Sequence, residues 1–518
     1  MTTSRPIPTP HFSGRYRAYV LGLLMLIYAV NFLDRQVISI LAPSLKSAMS
    51  LTDAQLGLLF GTAFALFYGL MGLSLARLAD SWNRVSTISI GLGFWSGMTA
   101  LSGLSGNFTQ LSLARIGVGV GEASASPAAF SLLQDYFPKE QRGTALSLYS
   151  SGIYIGSGLA LVIGGSIITY WDHHFISGAA PLGLAGWQAT FIAFGLPGIL
   201  LALLAKLTIK EPPRALPAIS PLRVVWGELA RMIPFHHHHN GQLRANLTLL
   251  CLCVGGGVGM FALTNPWLSA AKRPVIAQLF GLHITTNGVQ WVAMALGSYA
   301  AASWLQSLRC AAPDSFRRLA SRSFIRLAIA GGLISCIGYS INAFLFAYVQ
   351  AHFAKGPETG LTIGVIMTLT GAFGTIAGGI IGDWAKKIRP DGRVRLVQFA
   401  ILCATISGLW QYQTDNYALF LILLCVTNSL MIIWLGPVSA SCQDLVPAHL
   451  RGTATSVQLL GVNLIGLGLG PYLVGLISDA TGSLGTALLS SFALIPIVLL
   501  LLESAARSLA GDEALANS

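Results

Sequence analysis

From Ala18 onward the chain is a succession of apolar stretches, each long enough to cross a lipid bilayer as a helix. A crossing helix needs about 20 mostly apolar residues. Within lipid the backbone must satisfy its own N–H and C=O groups, so spanning segments are helices or closed barrels. Stretches of this length select helices. The expected spans are 18–42, 54–79, 86–105, 108–134, 143–170, 187–208, 246–268, 286–307, 325–350, 361–382, 396–412, 416–441, 453–477 and 484–502. Only 10% of the 518 residues are charged and 54% are hydrophobic, whereas soluble domains carry about 25% charge. Lipid must therefore solvate much of the surface. The expected class is an all-α polytopic membrane protein of about 14 spans.

Charge tests this count. An even number of spans puts both termini on one side. That side then receives clusters such as Arg317, Arg318 and Arg322, and Lys386, Lys387 and Arg389. The other side receives only Lys46, Lys272, Arg273 and Lys355. The positive-inside rule makes the basic side cytoplasmic. Removing the pair 246–268 and 286–307 would preserve parity, so charge alone does not fix that hairpin. The expected organisation is a cytoplasmic tail (1–17), a six-helix half (18–208), a central loop (209–244), an inserted hairpin (245–310), a second six-helix half (311–502) and a cytoplasmic tail (503–518). The N-terminal apolar run is read as an uncleaved first span, because no small-residue cleavage site interrupts it.

The net charge of +12 does not indicate nucleic acid, because the cations sit in short clusters between apolar runs. The seven cysteines lie in or beside apolar runs and offer neither a disulfide framework nor metal-ligand spacing. The run His236–His239 is read as a low-complexity loop, since four consecutive His do not share one helix face. No metal and no cofactor is expected. Asn107-Phe-Thr109 is a glycosylation sequon that decides nothing without the host.

The chain also repeats itself. Gln134-Asp-Tyr-Phe-Pro-Lys-Glu-Gln-Arg-Gly-Thr-Ala-Leu-Ser147 matches Gln443-Asp-Leu-Val-Pro-Ala-His-Leu-Arg-Gly-Thr-Ala-Thr-Ser456 at identical spacing. Ala76-Arg-Leu-Ala-Asp80 and Gly379-Ile-Ile-Gly-Asp383 form a second pair at nearly the same offset. Two homologous halves with the same orientation follow. This arrangement resembles the major facilitator superfamily. Ala76 to Arg84 is similar to that family's loop motif between spans 2 and 3, with Ala76 in place of the usual Gly. Arg115-Ile-Gly-Val-Gly-Val-Gly-Glu122 is similar to its span 4 motif. Asn31-Phe-Leu-Asp34-Arg35-Gln36, together with Gly121-Glu122-Ala123, resembles the spinster-like branch. The resemblance implies the two-half fold and proton-linked export of lysolipids or sphingolipids, and it leaves 245–310 outside the twelve-span pattern.

Ionisable side chains are costly inside a bilayer and are functional by default. Asp34, Arg35, Arg115 and Glu122 are the candidates for proton coupling and substrate binding, with Asn31 beside them. Arg115 and Glu122 share one helix face about 10 Å apart along the axis. Asp34 lies at the depth of Arg115, so the two can meet if spans 1 and 4 face each other. Asp34 and Arg35 point about 100° apart and cannot share a partner. Arg115 is expected to set how the two carboxylates exchange a proton. Gly117, Gly119 and Gly121 permit close helix contact. The second half offers neutral cavity candidates: Tyr339, Asn342, Asn428, Gln458 and Asn463. One charged wall and one neutral wall suit an amphipathic substrate. At the cytoplasmic ends, Asp80 and Asp383 are expected to cap the helix starts at Gly452-Thr453 and Gly143-Thr144 of the opposite half. Arg84, Arg142 and Arg451 would add to this gate.

The leading reading is a proton-coupled secondary transporter working by alternating access, with a small molecule or lipid as substrate and protons and membrane lipids as partners. It is expected to be a monomer in the cell (inner) membrane. A symporter or facilitator for a small organic acid is the alternative. A lipid-modifying enzyme is disfavoured, because the spans hold no nucleophile–base pair and no metal cluster. A non-transporting receptor is disfavoured by the intramembrane charges.

Overall fold

Helix starts are written into the sequence as caps. Ser13, Thr52, Asn83, Asn107, Thr285, Ser321, Asn416 and Ser483 each accept a hydrogen bond from the backbone N–H three residues on, satisfying one of the donors a helix start leaves open. Asn107, the sequon residue, spends its Oδ1 in this way at 3.0 Å. A computed structural model describes residues 12–175, 180–214, 220–237, 242–269, 272–279, 282–447 and 450–517. The other residues, including His238 and His239 of the histidine run, lie outside the described set.

Fourteen long helices follow in chain order among the described residues. The first half is α1 Gly14–Met49, α2 Asp53–Ser81, α3 Arg84–Ser102, α4 Phe108–Tyr136, α5 Thr144–His174 and α6 Gly186–Thr208. The hairpin is α7 Leu243–Trp267 and α8 Thr286–Ala311. The second half is α9 Arg322–Phe353, α10 Thr359–Ile388, α11 Gly392–Gln411, α12 Tyr417–Asp444, α13 Thr453–Thr481 and α14 Leu484–Ala514. Twelve of these are long and apolar enough to cross a membrane. The other two, α3 and α8, have 19 and 26 residues. The chain is thus an integral, multi-pass membrane protein.

Two details go beyond the expected spans. A two-stranded antiparallel sheet, β1 Val275–Leu279 and β2 Leu282–Thr285, joins α7 to α8. The loop expected over 209–244 contains a short helix, Pro221–Ala230. Several spans are not regular. Gly61 breaks α2 with φ −96° and ψ −92°, and a π-helical turn, Val462–Leu467, widens α13.

The glycines of α4 set its distance from its neighbours. A Cβ on Gly119 would lie 2.6 Å from the Phe64 carbonyl oxygen of α2, and one on Gly121 2.7 Å from Trp95 Cβ of α3. Only a bare backbone fits there. This close approach brings Arg115 and Glu122 against α1 and α2. The start of α1 and the end of α14 lie beside basic clusters at one end of the bundle, here the basic face. The other end is the far face.

Candidate functional site

Asp34, Arg35, Arg115 and Glu122 form two contacts among themselves. Arg35 Nη2 lies 3.1 Å from Glu122 Oε2, with both side chains buried. Arg115 Nη1 donates to the backbone carbonyl of Asp34 at 3.1 Å. Arg115 thus meets Asp34, but through the main chain and not the carboxylate. Glu122 takes Arg35, a partner the sequence reading did not assign. The reason is aromatic. The Arg35 guanidinium lies 4.6 Å from the ring centroids of Phe32 and Phe64 and 4.7 Å from that of Tyr68, a cage that stabilises a desolvated cation and aims it at α4. Tyr339 of the second half faces the same guanidinium.

The Asp34 carboxylate is fully buried. Arg115, Thr99 and Trp95 surround it, yet neither oxygen accepts a formed hydrogen bond. Arg115 Nε and Nη2, Glu122 Oε1 and Asn31 Oδ1 are likewise buried without a partner. Native interiors seldom leave so many polar atoms unmatched. Trp95 and Thr99 were missed by sequence reasoning, because neutral polar residues in a span read as packing.

Between the halves lies a central cavity of about 1310 Å³, mouth included. Arg35 is the one formal charge among its described lining residues. Asn342, Asn428 and Tyr339 line it from the second half, so three of the five neutral candidates are brought to it. Asn428 is already bonded to Thr370 at 2.6 Å. Gln458 is bonded to Ser439 at 3.0 Å and does not line it. Asn463 lies instead in a second cavity toward the basic face, with Tyr68, Ala76, Gln134, Gln443 and Arg451.

The far face is sealed. Asp479 of α13 accepts from the backbone N–H of Asp53 at 3.1 Å and of Ala54 at 2.8 Å. A carboxylate of one half thus caps a helix start of the other, where the dipole favours it. Ser478 donates to Asp53 at 2.7 Å, and Lys46 also pairs with Asp53. Ser39 donates to the Asn342 carbonyl at 2.7 Å. Sequence reasoning expected this device at the opposite end. Among the described residues, no hydrogen bond joins Asp80 or Asp383 to the other half. Asp383 pairs with Arg393 of its own half, Arg84 with Asp135 and Glu211, and Arg142 donates to Phe137. Among the described residues, the hydrogen bonds that Asp53, Ala54 and Ser39 make with the other half thus join the halves toward the far face.

A model of the Major Facilitator Superfamily matches residues 24–471. The chain belongs to the major facilitator superfamily. The chain is similar to an "MFS-type efflux pump" of Mycolicibacterium smegmatis, 23% identical across 94% of this chain and 91% of that one. It is also similar to the "Probable L-galactonate transporter" of Escherichia coli, 30% identical over 36% of this chain and 38% of that one. A crystal structure of a bacterial homologue of the human lysosomal transporter Spinster, inward-facing and unoccupied, superposes with a TM-score of 0.71 at 25% identity, covering 97% of this chain and 99% of that one. This major facilitator protein is spinster-like and is a transporter, not an enzyme.

Proposed function

We propose that the protein is a proton-coupled, alternating-access transporter of an amphipathic organic anion of lysolipid-like shape, with the basic face and both termini in the cytoplasm. The observation that carries this reading is the buried Arg35–Glu122 pair at the cavity wall, set beside the unpartnered Asp34 carboxylate. Arg35 is the anchor for an anionic group, and its present partner is a carboxylate that a proton can neutralise. An anion arriving at Arg35 competes with Glu122. Glu122, once released, would be an uncompensated buried charge unless protonated. Substrate and proton thus draw on one guanidinium, which is the minimum needed for coupling. Apolar groups such as Ile153, Leu161 and Met431 line the cavity, as an acyl chain requires.

Gradient-driven flux of lysophosphatidate in proteoliposomes tests the reading, with wild type compared to Glu122→Gln and Asp34→Asn. Full gradient-driven flux in both variants would overturn proton coupling. The likeness to an L-galactonate transporter favours a second reading, symport of a small organic acid anchored by the same Arg35. Competition between lysophosphatidate and galactonate separates the two.

A further inference from the structure

The hairpin α7–α8 does not line the central cavity, yet its buried polar groups reach both halves at once. Gln290 of α8 is 0% exposed. Its Oε1 lies 2.6 Å from Thr62 Oγ1 of α2, and its Nε2 donates to the Gly468 carbonyl of α13 at 3.1 Å. The Thr62 hydroxyl is also 2.5 Å from that carbonyl, so its single proton serves either acceptor. One turn away, Asn287 Oδ1 accepts from the Tyr472 hydroxyl of α13 at 2.9 Å and from Thr264 of α7 at 3.1 Å. At the hairpin tip, Lys272 Nζ lies 3.5 Å from Asp479 Oδ1, the carboxylate that caps α2. All these bonds sit toward the far face. Toward the basic face the hairpin's buried amides turn inward, Asn246 bonding Ser303, Gln306 and Tyr299.

Helix α2 belongs to the first half and α13 to the second. Opening the far face must draw them apart, and Gln290 cannot follow both. We infer that the hairpin is a strap across the far gate, with Gln290 as its fastening residue, released and remade in each transport cycle. A buried amide in lipid that loses its partner is unfavourable, so the strap biases the protein toward the state open at the basic face. The inference rests on alternating access.

Hydrogen exchange of the purified full chain in nanodiscs tests it, read at 53–60 on the far face and 453–461 on the basic face. Gln290→Leu is expected to speed exchange at 53–60 by about two- to tenfold, the range one hydrogen bond spans, and to slow it at 453–461. The opposite signs matter, because loss of a merely structural contact speeds exchange at both. No change at 53–60, or faster exchange at both segments, overturns the inference. Thr62→Val removes the first-half partner, together with its direct bond to the Gly468 carbonyl, and carries the same expectation should Gln290→Leu not fold. Asp479→Ala, which removes the latch itself, separates the two readings. If it moves the segments in opposite senses and Gln290→Leu does not, only the strap fails. If it leaves them unlinked, alternation between the faces fails as well.

Discussion

Arg84 Nη1 lies 2.6 Å from the Asp135 carboxylate, and the second half repeats the bridge with Arg393 Nη1 2.7 Å from Asp444. Asp135 and Asp444 are partners in the sequence repeat, and Arg84 and Arg393 share that offset. The two bridges differ in their surroundings. Arg84 is 1% exposed and also holds Glu211 at 2.8 Å and the Ser131 carbonyl at 2.9 Å, which ties α3 to the end of α4 and to the chain beyond α6. Arg393 is more open and shares itself with the exposed Asp383.

Unequal stability losses follow. Arg84→Ala removes a buried cation that makes several charge-assisted hydrogen bonds to partly solvated acceptors and is expected to cost about 1.5–3 kcal/mol. Arg393→Ala breaks a partly solvated pair and is expected to cost about 1 kcal/mol. Thermal unfolding of both variants in one detergent checks the order, and equal shifts would contradict it.

Glu122→Gln is expected to leave the fold intact, because the amide still accepts a hydrogen bond from Arg35. Proton movement accompanying substrate should nevertheless vanish, read with a pH dye inside proteoliposomes. Arg115→Ala should lose proton movement as well and also destabilise the fold, since it removes the cation beside two buried carboxyl groups. Asp34→Asn should fall between them.

Arg35→Gln removes the one formal charge among the described residues of the cavity wall. Binding of dodecyl phosphate, followed through the fluorescence of the lining residue Trp434, should weaken about 10- to 100-fold, the span of a charge-assisted hydrogen bond. Dodecyl alcohol should be affected far less. Equal losses for the two probes would mean that Arg35 shapes the cavity and does not read charge.

Asp391 stands outside the spans, in the turn between α10 and α11. Burial pushes its carboxyl up, but hydrogen bonds from Arg395 at 3.0 Å and Arg389 at 3.1 Å prevail and hold it below the usual carboxylate value. An unfolded Asp titrates near ~3.9. A depressed folded value contributes stability that is full above that point and is lost as pH falls through the folded value. Asp391→Asn should therefore lower the unfolding temperature at neutral pH, with the deficit closing below about pH 4. A deficit that persists in strong acid would mark lost packing and not lost charge.

The span pattern, the duplicated halves and the hairpin were legible because each depends on long apolar runs or on spacing, which lipid enforces along the whole chain. Asp34, Arg35, Arg115 and Glu122 stand inside apolar runs, and all four are buried. Their pairing was not legible. Which carboxylate Arg35 meets depends on an aromatic cage drawn from α1 and α2, Phe32, Phe64 and Tyr68, and no periodicity in one helix reports it. The far-face latch was missed for another reason. Asp479 and Asp53 each close or open a span, where a lone acid reads as a solvated loop charge, and only the packing of α2 against α13 makes one the cap of the other. Gln290 is marked by no charge and no motif, and its role depends on neighbours from two different halves.

Only 6% of the most apolar stretch of α7 is buried within the protein. Such a helix is placed by the bilayer more than by its neighbours. Its 25 residues extend about 37 Å at 1.5 Å each, with Arg244, Asn246 and Asn265 near the ends, so its tilt follows the thickness of the lipid around it. Bilayer thickness thereby becomes a mechanical variable for this protein: a thinner membrane leans α7 further over, and the load passes through α8 to the residues that join the halves toward the far face.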